Sequence, residues 1–181
     1  MILPIEVYGS PTLRAANGEM DAPCPEARKL IDDMFATMYA AEGVGLAAPQ
    51  VGRNVRLFVV DLTPWADDEP ELAGFRRTFV NPEIYERSEE EGFYNEGCLS
   101  LPGLHEDVRR PVSIRMRYLD ENFAPHDGEF AGRAARVIQH EYDHLEGVVF
   151  TDRLSPLRRT LLKGRLAGFP KGKYKAAYRT K

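Results

Sequence analysis

The amino-acid sequence predicts an α+β fold, with mixed or antiparallel sheets packed around a central helix and further helices towards both ends. The residues from Pro25 to Gly43 and from Gly132 to Gly147 have helical patterns, and segments between them have the apolar or alternating patterns of β-strands. Along the chain the order is helix, several strands, central helix, a strand-like segment and a last helix. This order favours the α+β class.

The first helix is predicted to begin at Pro25, because proline suits a first helical turn, and to end at Gly43. Its apolar residues form a single stripe, which is typical of a helix side that packs in the core. The stripe consists of Leu30, Ile31, Met34, Phe35 and Met38.

The middle of the chain is predicted to supply the strands. They are residues 55–61, which form a buried strand, and residues 77–87 and 111–120. The segments between them are interpreted as irregular structure: a glycine-containing loop or irregular edge at 43–52, an exposed acidic loop at 62–74, and a turn-rich stretch at 91–110.

Charge divides the chain unevenly. Ten of its 24 basic residues and none of its 28 acidic residues lie between Arg153 and Lys181. We therefore predict a single domain at residues 1–154 and a basic helix and tail at 155–181. Ser155 and Pro156 suit the cap and first turn of that helix, and residues 171–181 are expected to be a flexible basic extension.

The composition points to a cytoplasmic protein. The 181 residues suffice for one domain with a core, and no apolar run approaches the length of a membrane span. The first ten residues lack the basic and apolar regions of a secretory signal. In a reducing compartment, Cys24 and Cys98 are expected to be free thiols.

Residues 139–147, QHEYDHLEG, contain the pattern His-Glu-x-x-His, which suggests a hydrolytic metal site. His140 and His144 lie four residues apart, so on a helix both can face one metal ion, and Glu141 can reach a water bound to it. The pattern is short, and a helix with two partly exposed histidines remains an alternative at this point.

A third ligand has to come from upstream. One protease class has its third ligand, a further histidine, at the position that Phe150 occupies here. Another class takes a glutamate from a later helix, but no acidic residue follows Asp152 in this chain. The candidates are several carboxylates together with Cys24, Cys98, His105 and His126. Cys24 is best explained as an incidental or structural thiol, and the two histidines as solvated surface residues. Cys98, in the turn-rich stretch NEGCLSLPG, is modestly favoured, since cysteine and histidine together suit Zn²⁺ or Fe²⁺.

Three segments in this order resemble the signature motifs of peptide deformylases: GVGLAAPQ (43–50), EGCLS (96–100) and QHEYDHLEG (139–147). The similarity extends over nearly the whole chain to about residue 155. The resemblance implies that Cys98, His140 and His144 bind one divalent metal, natively Fe²⁺, with Zn²⁺ or another divalent ion able to substitute. The fourth position would be left to water.

The resemblance also implies a reaction, the removal of the formyl group from the N-terminal methionine of nascent polypeptides. Glu141 would act as the general base and then protonate the leaving amine. The Gln50 side-chain amide and the Leu99 backbone N–H would stabilise the oxyanion that forms on the formyl group.

The same resemblance assigns residues to substrate binding. Val44, Tyr94, Val137 and the ring of His140 would line an apolar pocket for the methionine side chain, and Gly45 and Gly97 would bond to the peptide backbone. Glu96, Arg110 and Asp143 would support the site from outside, with Asp143 pairing with Arg110. Two positions depart from the family pattern, Arg133 at the start of the central helix and His105 near the downstream end of the peptide.

Nascent formyl-Met polypeptides are therefore the expected partners, and the basic segment 155–181 suggests contact with the ribosome; no membrane or DNA partner is expected. Two alternatives are a metallopeptidase that uses the same helix and a binding protein with a structural metal. Glu141 counts against the second, because a closed structural site needs no general base.

Overall fold

A computed structural model describes all residues from Met1 to Lys181 and confirms the α+β class, with three α-helices and two antiparallel sheets. The helices are α1 (Pro25–Ala40), α2 (Gly132–Leu145) and α3 (Pro156–Leu166). The strands are β1 (Gly45–Ala47), β2 (Leu57–Asp61), β3 (Arg76–Arg87), β4 (Glu91–Cys98), β5 (Leu101–Pro111), β6 (Ser113–Leu119) and β7 (Pro125–Ala131).

The larger sheet has five strands in the order β1-β2-β3-β6-β7, and every neighbouring pair is antiparallel. Strand β2 is buried along its whole length, as its apolar run predicts. The helix α2 packs against this sheet, where Val137 and Ile138 share a hydrophobic cluster with Phe58 and Phe79. The central helix is therefore enclosed by the core, and the side chains it presents are held in fixed positions.

The second sheet corrects the interpretation of residues 91–110 as a turn-rich connection. They form most of the hairpin β4–β5, in which only Leu99 and Ser100 separate the strands. Buried and exposed residues alternate along β5, so cross-strand pairing and burial prevail over the local preference of glycine, asparagine and proline for turns.

Two further differences concern short segments. The polar strand β7 is absent from the predicted strands, since it lies at the sheet edge and has little apolar pattern. After α2, Phe150–Arg153 form a 3₁₀ turn rather than a strand-like segment. The Asp152 carboxylate accepts the Val149 N–H at 3.0 Å, which stabilises the turn.

The carboxyl-terminal segment begins as predicted and ends differently. Ser155 caps α3, accepting the Arg158 N–H at 3.3 Å. The prediction of a flexible extension at 171–181 is wrong, because the backbone of Ile5 exchanges two hydrogen bonds of 2.9 Å with Arg179 and Lys181. None of the helices has both the length and the apolar character needed to cross a membrane.

Candidate active site

The helix α2 presents its two histidines from one buried side. His140 and His144 are 8% and 1% exposed, and Glu141 between them is 4% exposed. The turn of the β4–β5 hairpin brings Cys98 to the same place, with its Sγ atom 3.3 Å from His144 Nε2. One ligand atom from each of Cys98, His140 and His144 lies within 4.8 Å of the others.

This group fits a divalent metal ion by its chemistry. A thiol and two imidazoles are ligands that Zn²⁺ and Fe²⁺ both accept. His140 Nδ1 lies 2.8 Å from Glu96 Oε2, so this nitrogen donates to the carboxylate and Nε2 remains free as a ligand. The buried Glu141 Oε2 atom has no protein hydrogen-bond partner, as is typical of a site that a ligand completes.

The position of Glu141 depends on Gly45. A Cβ atom at Gly45 would lie only 2.4 Å from Glu141 Oε1, so any larger residue would displace the carboxylate. Burial raises the pKa of Glu141 to about 7. A carboxyl group with that pKa can both accept and donate a proton near neutral pH, which is the property of a general acid–base.

The side chain of Gln50 is oriented by hydrogen bonds at both ends. Its Oε1 atom accepts the Ala47 N–H at 2.8 Å, and its Nε2 atom donates to Ser100 Oγ at 3.1 Å. Nε2 also lies 3.5 Å from Cys98 Sγ. The amide N–H group is therefore fixed beside the candidate metal ligands.

A buried ionic cluster supports the site from behind. Arg110 is 1% exposed and binds Glu96 through two hydrogen bonds of 2.7 and 2.9 Å. Its third contact is to Asp143 Oδ2 at 2.6 Å. Burial alone would raise the pKa of Glu96, but Arg110 and His140 outweigh it and hold that pKa far below its usual range. Glu96 is thus ionised and can orient the His140 ring.

A cavity of about 500 Å³ opens in front of these groups. It is bounded by every residue predicted to bind substrate or to act on it: Val44, Gly45, Gln50, Tyr94, Gly97, Cys98, Leu99, Val137, His140 and Glu141. Glu96 also reaches this cavity, whereas Arg110, Asp143 and His144 lie behind its wall. The wall also contains residues that the sequence interpretation did not assign to the site, among them Trp65, Arg136 and Tyr178, and it contains His105.

The two residues that depart from the family pattern, Arg133 and His105, lie in different places relative to the cavity. Arg133 is not part of the wall; its guanidinium pairs with Glu69 at 2.7 Å and lies 5.2 Å from the centre of the Trp65 ring. It therefore contacts the cavity only through Trp65. His105 is exposed, as predicted for a solvated residue, but it lies on the strand β5 and not in a turn. It faces Gly97, where a Cβ atom would come within 2.4 Å of its ring.

The other upstream ligand candidates lie away from the site. Cys24 caps α1, and its Sγ atom accepts the Ala27 N–H at 3.4 Å. His126 lies on the exposed strand β7, 2.9 Å from an Asp120 carboxylate oxygen.

Of the wall residues that the sequence interpretation missed, Arg136 was detectable from the sequence pattern and Tyr178 was not. Arg136 precedes His140 by one helical turn, so the same periodicity that pairs the histidines places it on their side. It donates to Glu96 at 3.0 Å and to the Val108 carbonyl at 2.9 Å. Tyr178 had no such signal, because only the tertiary fold brings it to Leu99.

Comparisons with known proteins agree with this geometry. Residues 2–160 match the family model described as polypeptide deformylase. The chain is 48% identical to a peptide deformylase of Christiangramia forsetii, over 99% of this chain and 95% of the relative. It is 49% identical to that of Salinibacter ruber, over 98% and 93%. The crystal structure of a peptide deformylase from Legionella pneumophila superposes with a TM-score of 0.82 at 36% identity, covering 96% of this chain and 98% of that one.

Proposed function

Because the chain belongs to the polypeptide deformylase family, it removes the N-formyl group from the formylmethionine of nascent polypeptides, and we propose which of its residues perform this hydrolysis. The observation that carries the proposal is the convergence of Cys98, His140 and His144 beside the buried carboxyl group of Glu141. The roles of the individual residues rest on that geometry and on the three motifs.

Cys98, His140 and His144 hold the divalent metal that the family requires. When bound, such an ion supplies Lewis-acid chemistry and lowers the pKa of a water molecule towards neutrality. The native ion is proposed to be Fe²⁺ from the resemblance to peptide deformylases, since the ligand set suits Fe²⁺ and Zn²⁺ alike. Metal analysis of protein purified without oxygen decides between them; a stoichiometric content of zinc and no iron would contradict the proposal.

Glu141 takes a proton from the attacking water and later gives it to the amine that leaves. Its raised pKa suits both transfers. The Gln50 Nε2–H and the Leu99 N–H donate to the oxygen on which negative charge develops. A donor fixed in advance for this purpose lowers the barrier by about 3 kcal/mol.

The substrate methionine enters the cavity between Val44, Tyr94 and Val137. Gly45 and Gly97 bind the backbone of the peptide that follows. The absence of a side chain at Gly45 leaves space for Glu141, and at Gly97 it leaves space for the His105 ring. The two glycines therefore serve the site by admitting a neighbouring side chain as well as by exposing their backbone.

We predict strong discrimination between acyl groups. With formyl-Met-Ala-Ser as substrate, replacing formyl by acetyl adds a methyl group where Gln50, Leu99 and Glu141 enclose the carbonyl. We expect kcat/KM to fall about 100-fold, the upper range for one misplaced methyl group. Release of formate or acetate measures both reactions, and rates within threefold of each other would contradict the enclosed geometry.

The same assay includes the unmodified peptide and thereby tests the metallopeptidase alternative. The family match and the similarity to solved deformylases give that alternative no support. Cleavage of a Met–Ala or Ala–Ser bond, without release of formate from the formyl peptide, would revive it.

We further propose that the enzyme works in the cytoplasm and that the basic segment 155–181 contacts ribosomal RNA phosphates. The charges of Lys163, Lys171, Lys173 and Lys175 are exposed. Replacing these four lysines by glutamine should weaken co-sedimentation with ribosomes and reduce its dependence on salt, because fewer phosphate contacts are made. Activity on a free formyl tripeptide, which needs none of these lysines, serves as the control. Unchanged co-sedimentation at low salt would show that this segment is not the docking element.

A further inference from the structure

The carboxyl-terminal tail returns to the active site through Tyr178. The Tyr178 hydroxyl donates a hydrogen bond of 2.7 Å to the Leu99 carbonyl, across 79 residues of chain. Leu99 directly follows the proposed metal ligand Cys98, and its N–H is a proposed oxyanion donor. The Tyr178 ring also forms part of the cavity wall. A side chain outside all three motifs thus touches the backbone on which two of their functional groups lie.

The peptide group between Leu99 and Ser100 is held at both of its polar atoms. Its oxygen accepts from Tyr178 at 2.7 Å, and its N–H donates to Cys98 Sγ at 3.4 Å. A rotation of this peptide plane would break both contacts. The direction of the Leu99 N–H, one Cα atom away, depends on the same plane.

The tail that carries Tyr178 is itself anchored. Ile5 exchanges two backbone hydrogen bonds of 2.9 Å with residues 179–181. Two further amides of this amino-terminal segment donate bonds of 2.8 Å to the carbonyls of Gln50 and Ser100. The amino-terminal segment therefore lies between the tail and the motifs and holds each in place relative to the other.

We propose that Tyr178 is a positioning residue for deformylation. Its hydroxyl fixes the peptide group between Leu99 and Ser100 and so directs the Leu99 N–H and the Cys98 thiolate. The inference rests on the function proposed for the site. It makes the tail part of the catalytic unit, although Tyr178 lies beyond the residues that match the family model.

The test compares Tyr178→Phe with Tyr174→Phe in the full chain. Each change removes one hydroxyl from the tail and keeps the ring; the Tyr174 hydroxyl lies 3.0 Å from Thr180 Oγ1 and is absent from the cavity wall. We expect Tyr178→Phe to lower kcat about 3- to 10-fold, the range for one hydrogen bond, with KM changed less than twofold. Tyr174→Phe should leave both constants unchanged.

A second measurement is independent of turnover. Hydrogen–deuterium exchange of the amides from Cys98 to Leu101, without substrate, should be faster in Tyr178→Phe and unchanged in Tyr174→Phe. Metal content is measured in all three proteins and is expected to be equal. If the tail had a purely structural role, both variants would have a changed thermal midpoint. Neither variant would then have faster exchange at residues 98–101, and neither would lower kcat while leaving KM nearly unchanged.

Three results would overturn the proposal: wild-type kcat in Tyr178→Phe, an equal loss in both variants, or unchanged exchange at residues 98–101. Failure of the proposed function is distinguishable from all of these. In that case the wild-type protein, loaded with metal, would itself release no formate from formyl-Met-Ala-Ser.

Discussion

We expect Glu141→Gln to lower kcat about 10³- to 10⁴-fold while metal content stays at the wild-type level. Glutamine has nearly the same shape as glutamate but cannot accept the proton of the attacking water, and general acid–base catalysis commonly contributes 10²- to 10⁴-fold. Because the group acts in the transition state, the loss should appear in kcat rather than in KM. Steady-state formate release and metal analysis are the two measurements.

Two further variants make this result interpretable. Glu146→Gln changes the same residue type at the end of α2, where Glu146 is exposed and pairs with Arg56, and should retain wild-type activity. Cys98→Ser replaces a soft thiolate by a hard hydroxyl and should weaken metal binding at least tenfold. Activity of Glu141→Gln within tenfold of wild type would remove Glu141 from its role as base.

The second large effect is expected on stability. Arg110→Met should lower the free energy of unfolding by about 3 kcal/mol, because it leaves the charges of Glu96 and Asp143 buried without their main partner. Arg136 and Arg153 still contact these carboxylates, which keeps the loss near the lower end of the range for a broken buried ion pair. Urea unfolding of the metal-free proteins measures it without a contribution from metal binding.

Arg115→Met is the matched control for Arg110→Met. Arg115 is half exposed, and its carboxylate partners Glu86 and Glu129 lie 3.6 and 3.7 Å away. Its replacement should cost less than about 0.5 kcal/mol, as is usual for surface substitutions. Equal losses in the two variants would mean that the buried cluster contributes no more than an exposed ion pair.

The parts of the fold that the sequence predicted correctly are those where one local pattern dominates. The continuous apolar run predicts the buried strand β2, and the periodic spacing of apolar residues predicts α1. The cap at Ser155 follows from residue type. The hairpin β4–β5 was missed because turn-forming residues occur inside paired strands. Local preference is a weak guide where pairing across strands determines the conformation.

The residues of the candidate site were likewise predictable where a local pattern exists, and not where only the tertiary fold brings residues together. His140 and Glu141 lie in one short motif, whereas Cys98 was only modestly favoured from the residues and was assigned to the site by the resemblance to peptide deformylases. Arg136 could have been found from helical periodicity. Tyr178 could not, because no local pattern indicates that a tyrosine of a basic tail contacts the backbone next to Cys98.

The pairing of Ile5 with Thr180 has a consequence for when the enzyme becomes competent during its own synthesis. Ile5 is synthesised early, but its backbone partners Arg179 and Lys181 are synthesised after all three motifs, so this pairing forms late. Closing so long a loop is entropically costly and slow compared with forming α1 or the β4–β5 hairpin. Until then, the contacts that this segment makes with Gln50 and Ser100 lack the support of that pairing. The Tyr178 hydroxyl that holds the Leu99 carbonyl is likewise made after all three motifs, so the tail supports the active site only once the motifs themselves have been synthesised.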